Sequence, residues 1–274
     1  QDMLEDESID NPASDLTNEL HWEYAAQIIA STVKIAEKKG VYPVFLTSFK
    51  CTPDAFTVGY FKEIMESYNK PYLVLELDEH DSSIGYETRI EAAVRTFRNH
   101  KQKKKGIEIR NLAALFPKLE RNMDGKAIVL PNWDTIACSF LSATLRREGY
   151  QTYLSEETDT TIKESLKFNT GQCIPLNAIA TGYIDCMKRN QLDPDKTVLW
   201  LSRSEIACNI KMYPYHIKKL LAAYDKKYAN AGVYVGSLSF IDISFKAAAN
   251  SYLSYLISGL LRRAVCKIRP YEKV

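Results

Sequence analysis

Apolar residues fall along this chain in two alternating rhythms: short unbroken runs rich in β-branched and aromatic side chains, and longer stretches spaced by three or four. The first rhythm marks buried strands, the second amphipathic helices. From His21 to Lys39, HWEYAAQIIASTVKIAEKK sets Ala25, Ile28, Ile29, Val33, Ile35 and Ala36 at helical spacing, and Gly40 is a natural stop. VYPVFLTS then predicts a buried strand. A helix opens at Thr52-Pro53-Asp54 and runs to about Tyr68, with Pro in the first turn. PYLVLELD predicts the next strand and YETRIEAAVRTFRNH the next helix. KQKKKG, Lys101 to Gly106, breaks the rhythm; such a charge run reads as a solvated loop, with an anion-binding patch as the alternative.

After an irregular stretch to Asp124 the alternation resumes. GKAIVLPN, YQTYLSE, TVLWLSRS and VYVGSLSF predict strands. WDTIACSFLSATLRREG, the latter part of NTGQCIPLNAIATGYIDCMKRN, YPYHIKKLLAAYDKKY and SFKAAANSYLSYLISGLLRRAV predict helices. Strands that alternate with helices call for parallel pairing and crossover connections. The expected fold is α/β, two Rossmann-like open parallel-sheet units with crossover helices. An acidic lead-in covers residues 1–20, the first unit 21–124 and the second 125–274.

The net charge of +2 argues against a nucleic-acid or anionic-membrane partner, since no strong global field results. No apolar run reaches the roughly 18 residues needed to cross a bilayer. The start, QDMLEDESIDNPASDLTNEL, lacks the basic and apolar regions of a secretory signal and has no initiator Met, so it reads as the middle of something. Six cysteines, at 51, 138, 173, 186, 208 and 266, form no CxxC and no compact disulfide framework, which points to a reduced, cytoplasmic protein.

Cys51, Cys173 and Cys208 share one setting. Each follows a strand or a turn and precedes a Pro-containing helix start, as in Cys51 before Pro53, Cys173 before Pro175 and Cys208 before Tyr213-Pro214. The carboxyl edge of an open parallel sheet is where such folds place their ligands. Helix N-termini favour thiolates, the form of cysteine that binds metal. Cys138 and Cys186 fall within amphipathic helices and read as core; Cys266, in RRAVCKIRPYE, reads as structural, with a metal role as the alternative. The strand PYLVLELD ends in Glu79, His80 and Asp81. These suit an oxygen or nitrogen ligand or a general acid or base, or else a turn in which Asp81 caps the next helix. His21, His100 and His216 read as surface or helix-packing residues. Arg269-Pro270-Tyr271-Glu272 reads as the stop of the final helix, with a phosphate contact through Arg269 as the alternative.

LTSFKCTPDAF, YFKEIMESYNKPYLVLELDEHDSSIGYETRIEAAVRTFRNH, FNTGQCIPLNAI, ACNIKMYPYHIK and CKIRPYE resemble the 2-hydroxyacyl-CoA dehydratase subunits and their relatives. The resemblance is greatest to the large activase-related proteins, in which ATPase modules of the BadF/BcrA type precede dehydratase-like regions. It covers nearly everything after about Trp22. The chain looks like the C-terminal, dehydratase-like part of such a protein, without the ATPase modules, and no GxxxxGK[ST] run is present. In that family the cysteines of comparable stretches hold a [4Fe–4S] cluster, and related proteins hold a double-cubane cluster. Carried over, Cys51, Cys173 and Cys208 become cluster ligands, with Glu79, His80, Asp81 and Cys266 as further candidates. The Phe-x-Cys stretch stands before the Cys-x-Pro stretch here, the reverse of a simple dehydratase subunit, so the three cysteines need not serve one cluster.

The resemblance implies an iron–sulfur redox module in an ATP-driven, low-potential electron-transfer or 2-hydroxyacyl-CoA dehydratase-activating system. Its partners would be ATPase activase modules or subunits, with an acyl-CoA ester as substrate and a homodimer left open; whether the fragment is itself an enzyme is undecided. Two alternatives stand beside it. One is a non-catalytic interaction or scaffold domain that keeps the fold without a cluster and uses the helix from Ser244 to Val265 as a partner surface. The other is a zinc site built from Cys51, Cys208 and His80.

Overall fold

The computed structural model describes residues 22–48, 53–78, 83–102, 117–168, 171–204 and 208–272. It is α/β, with parallel sheets and eight α-helices among the described residues. The chain divides into two compact units. The first takes the described part of Gln1–Pro117 together with two short segments from far along the chain, Gly171–Cys173 and Ile206–Met212. The second takes Lys118–Thr170, Ile174–Glu205 and Tyr213–Val274.

In the first unit α1 (Glu23–Glu37), β1 (Val44–Thr47), α2 (Asp54–Ser67), β2 (Leu73–Glu76) and α3 (Ser83–Gln102) follow one another. β1 and β2 form a two-stranded parallel sheet in the register Val44↔Leu73 to Thr47↔Glu76. Ile29, Val33 and Ala36 of α1 and Phe61, Ile64 and Met65 of α2 are buried with Phe45 of β1, whose ring lies 5.1 Å from Phe61. The expectation of a fully buried β1 is corrected by period-two alternation: Phe45 is 6% exposed, whereas Val44 and Leu46 are 50% and 58% exposed. A two-stranded sheet packed on one side leaves every second residue of β1 on its open face.

α1 ends against an unusual cap. Lys70, 7% exposed, sends its Nζ to the carbonyls of Ile35, Ala36 and Lys38 at the helix end, where Ile35 O also accepts from Lys38 N at 3.2 Å. A cation at a helix C-terminus also complements its dipole. Burial pushes the Lys70 ammonium below its ordinary pKa, which measures the desolvation those carbonyls must offset.

The second unit runs β3 (Ala127–Leu130), α4 (Thr135–Arg147), β4 (Thr152–Leu154), α5 (Asp159–Ser165), α6 (Ile174–Arg189), β5 (Thr197–Ser202), α7 (Tyr213–Tyr224), β6 (Gly232–Gly236) and α8 (Phe245–Ile268). The four strands are all parallel, in the order β4-β3-β5-β6. Ile128, Leu130, Val198 and Trp200 pack with Leu141 and Leu145 of α4, Phe240 and Ala247 of α8. The alternate residues Val129, Leu199 and Leu201 are buried as well, so this sheet is covered on both faces, as its unbroken apolar runs require. Gly236 ends β6 where a Cβ would meet Trp200 Nε1 at 2.5 Å and Asp242 Oδ2 at 2.9 Å; only glycine fits.

α5 has no counterpart among the expected elements. DTTIKES shows no apolar periodicity, and its start is set instead by a reciprocal cap in which Thr158 and Thr161 exchange side-chain and backbone hydrogen bonds. The final helix reaches Ile268, three residues beyond its expected end, and closes in a 3-10 turn at Arg269–Tyr271.

Replacing Lys70 by Met keeps the buried stem but removes the Nζ donor from all three carbonyls, leaving Ile35 O with the Lys38 N–H. Urea unfolding is expected to show a loss of roughly 2–4 kcal/mol. A loss below about 0.5 kcal/mol would show that water satisfies these carbonyls equally well.

Candidate functional site

Parallel pairing brings the ends of β1 and β2 side by side, and Leu77 N–H donates to Thr47 O at 2.7 Å just past the last paired residues. Cys51 follows β1 by four residues, and Glu79-His80-Asp81 follow β2 by three. All four lie outside the described residues. The bases of the two loops are described. Thr47 Oγ1 donates to Asp54 Oδ2 at 3.1 Å, tying the end of β1 to the first turn of α2. The hydroxyl of Tyr86 on α3 accepts from Asp78 N at 2.9 Å and lies 3.3 Å from the carbonyls of Glu76 and Asp78. Each candidate segment therefore leaves a strand and enters a helix through a hydrogen-bonded neck.

The turns that carry two further candidates, Cys173 and Cys208, touch at one contact. Gly171, at φ +105°, makes a turn that an L side chain rarely adopts, and Gln172 after it is buried. Cys173 is half-buried and stands immediately before α6. Cys208 is exposed, and the 3-10 turn Asn209–Met212 carries the chain from it into α7. Asn209 is buried, and its Nδ2 lies 4.0 Å from Cys173 Sγ, the outer reach of an N–H···S contact. The two cysteine turns, 35 residues apart in sequence, thus join through the residue next to Cys208. Both thiols are free.

The other cysteines separate cleanly. Cys138 and Cys186 are fully buried, and burial pushes both thiols up to about 11. Cys138 Sγ donates to Pro131 O at 3.5 Å and Cys186 Sγ to Leu154 O at 3.8 Å, as expected of packing residues. Cys266 is exposed on the last turns of α8. Among the described residues no three His, Cys, Asp or Glu side chains gather as a metal-binding group.

Of the histidines, His21 lies outside the described residues. His100 Nδ1 lies 2.9 Å from the Tyr42 hydroxyl, and its ring meets Tyr42 edge-on at 5.6 Å, a packing role at the end of α3. His216 sits in the first turn of α7, where burial, then the charge of Lys219, pushes it down to about 4.

One feature had no flag in the residues alone. The strand order reverses between β3 and β5, and a doubly covered parallel sheet opens a crevice at the carboxyl ends of such a pair. β3 runs there into Asn132-Trp133-Asp134, and β5 into Arg203-Ser204. Trp133 is 47% exposed and lies 6.0 Å from the buried Trp200 ring. Asn132 Oδ1 and Ser204 Oγ are buried without a hydrogen-bond partner among the described residues. Asp134 caps α4 through Ala137 N at 2.8 Å and is paired with Arg262 of α8. PNWD after a strand was the only sequence signal; the strand order supplies its meaning.

No protein-family model, no curated protein and no solved structure matches this chain.

His216 carries a pH consequence. Its folded pKa is depressed, so the unfolded chain takes up a proton first as pH falls. The associated stability is full above about 6.5 and drains as pH drops toward 4. His216→Gln should flatten the stability–pH curve over that window by roughly 2–3 kcal/mol relative to the unsubstituted chain. Parallel curves for the two proteins in urea titrations would refute it.

Proposed function

We propose that the chain is the iron–sulfur redox module of an ATP-driven, low-potential electron-transfer or 2-hydroxyacyl-CoA dehydratase-activating system, built on two Rossmann-like units. The observation that supports this reading is the meeting of the Cys173 and Cys208 turns through Asn209, within the unit that also holds the parallel pair β1 and β2, which Cys51 and Glu79-His80-Asp81 follow in sequence. Two accessible thiols and a neighbouring amide donor are the donor chemistry of a cluster edge, and N–H···S contacts help set its potential. A [4Fe–4S] or double-cubane-type cluster, when bound, accepts and passes on one electron at a time at low potential.

The protein's own part is to hold and shield. Cys173 is held by the Gly171 turn and the start of α6, and Asn209 directs its amide at the sulfur. Cys51 would supply the third thiolate, with His80 or a carboxylate beside it, and Cys266 is the remaining candidate. The energy of the electron comes from ATP hydrolysed by partner activase modules or subunits. The crevice beyond β3 and β5 is the place for an acyl-CoA ester, with Trp133 as a stacking surface.

The reading is tested by anaerobic purification and reconstitution with iron and sulfide. A brown protein with roughly four irons and as much acid-labile sulfide per cluster is expected. Cys173→Ser/Cys208→Ser should lose most of both. A colourless, iron-free product overturns the reading, as does a double variant that keeps its full iron. Zinc without sulfide would replace it by a structural metal site.

A further inference from the structure

α8 is built inside out. Its buried positions are small, Ala247, Ser251, Ser254 and Ser258, and the serine hydroxyls bond to the carbonyls of Ser239, Asn250 and Ser254 at 2.6–2.7 Å. Small residues let α8 lie close against α4. Its large side chains point the other way: Tyr252, Leu253, Leu256, Ile257, Leu260 and Leu261 are each 44–65% exposed. No charge interrupts the helix from Ala247 to Leu261, and from Gly259 to Ile268 no residue is buried. A bare helical end of this kind is marginal in water by itself. Gly259, in mid-helix, has open space where a Cβ would stand, so among the described residues nothing repays the roughly 1 kcal/mol that glycine costs there. A glycine on an exposed helix face allows another backbone to approach closely.

We propose that this face pairs with the same face of a second copy, the two α8 helices antiparallel and crossing between Leu256 and Ile257. In that register Tyr252 faces Leu261, Leu253 faces Leu260 and Leu256 faces Ile257, so the pattern is complementary to itself, as a two-fold interface must be. Antiparallel pairing sets the two Arg263 side chains roughly 20 Å apart along the axis at 1.5 Å per residue, beyond the ~8 Å screening length at physiological salt. Parallel pairing would set the basic ends side by side. Taking about 150–200 Å² for a fully exposed large side chain, the low half of the aromatic range, the six residues offer roughly 500–650 Å². Phe245 and Ile268, 83% and 59% exposed and opposite one another in that register, bring the face to the ~800 Å² per partner of a stable complex. The pairing is independent of any cluster.

Sedimentation velocity on the full chain over roughly 1–100 μM, a range spanning ordinary dimer affinities, should show twice the mass of one chain. Leu256→Arg should weaken association by roughly 30-fold or more, as loss of a central apolar contact does. Leu256 is 48% exposed, and an unchanged far-ultraviolet spectrum will confirm that the variant folds. In a Cys266→Ser background, Leu256→Cys should give a disulfide-linked dimer on mild oxidation, since the two copies meet there. Ile268→Cys should not, its copies being roughly 35 Å apart against the ~7 Å limit for a bridge. A chain monomeric throughout overturns the proposal, as does crosslinking at 268 in preference to 256. A monomer that cosediments with phosphatidylcholine–phosphatidylserine vesicles assigns the face to a lipid surface instead.

Discussion

Parallel strand pairing is the constraint from which the rest of this structure follows. A parallel ladder cannot be closed by a hairpin, so every strand must hand over to a crossover that returns the chain to the same starting edge. All strands then finish on one edge, and the helices that follow begin there. In the two-stranded sheet this fixes where the chain goes after Thr47 and Glu76. In the four-stranded sheet it fixes where Asn132, Trp133, Arg203 and Ser204 emerge. Residues able to do chemistry cluster after strand ends because that is where backbone N–H groups and turn residues are free of the ladder.

Burial then decides which polar groups can be spared for function. Lys70 is committed to three carbonyls, Tyr86 to the neck beyond β2, and Thr152 to Ser142 at 2.8 Å and to Arg146 at 3.1 Å. Against that background the buried Oδ1 of Asn132 and Oγ of Ser204, without a hydrogen-bond partner among the described residues, bear on the switch point, because an unmade buried hydrogen bond costs about 1–3 kcal/mol. α8 inverts the usual arrangement, polar hydroxyls inside and large apolar groups outside. A closely packed neighbour explains the first, since only small residues admit α4 at that distance.

The alternation of strands and helices was legible in the sequence because period-two and period-3.6 patterns are local. β5, TVLWLS, reads as a strand, and its unbroken apolar run is buried through Leu201. β1 carries the same kind of apolar run but lies in a sheet with one covered face, and no local pattern can report how many layers surround a strand. α5 escaped because its start rests on threonine caps rather than on an apolar stripe. The setting shared by Cys173 and Cys208 was visible as loop-before-helix. Their meeting through Asn209 was not, since it depends on strand order. The switch point between β3 and β5 was invisible for the same reason: it is a property of the order β4-β3-β5-β6, in which sequence neighbours are not always spatial ones.

The division among the cysteines carries the functional argument further than the spacing did. A metal takes the thiolate, so a ligand must be able to lose its proton near neutral pH and must be reachable. Cys138 and Cys186 meet neither condition: each is fully buried, its thiol pushed up to about 11 and bonded to a carbonyl. Cys266 is reachable but stands on the unpacked end of α8, where no neighbouring turn holds it. Cys173 and Cys208 alone among the described cysteines are both accessible and set in turns that lead directly into helices, with a buried amide between them. Two such sulfurs cannot close a cluster by themselves. The third thiol that the proposal calls on, Cys51, belongs to the segment whose two ends are tied together by the hydrogen bond from Thr47 Oγ1 to Asp54 Oδ2 at 3.1 Å.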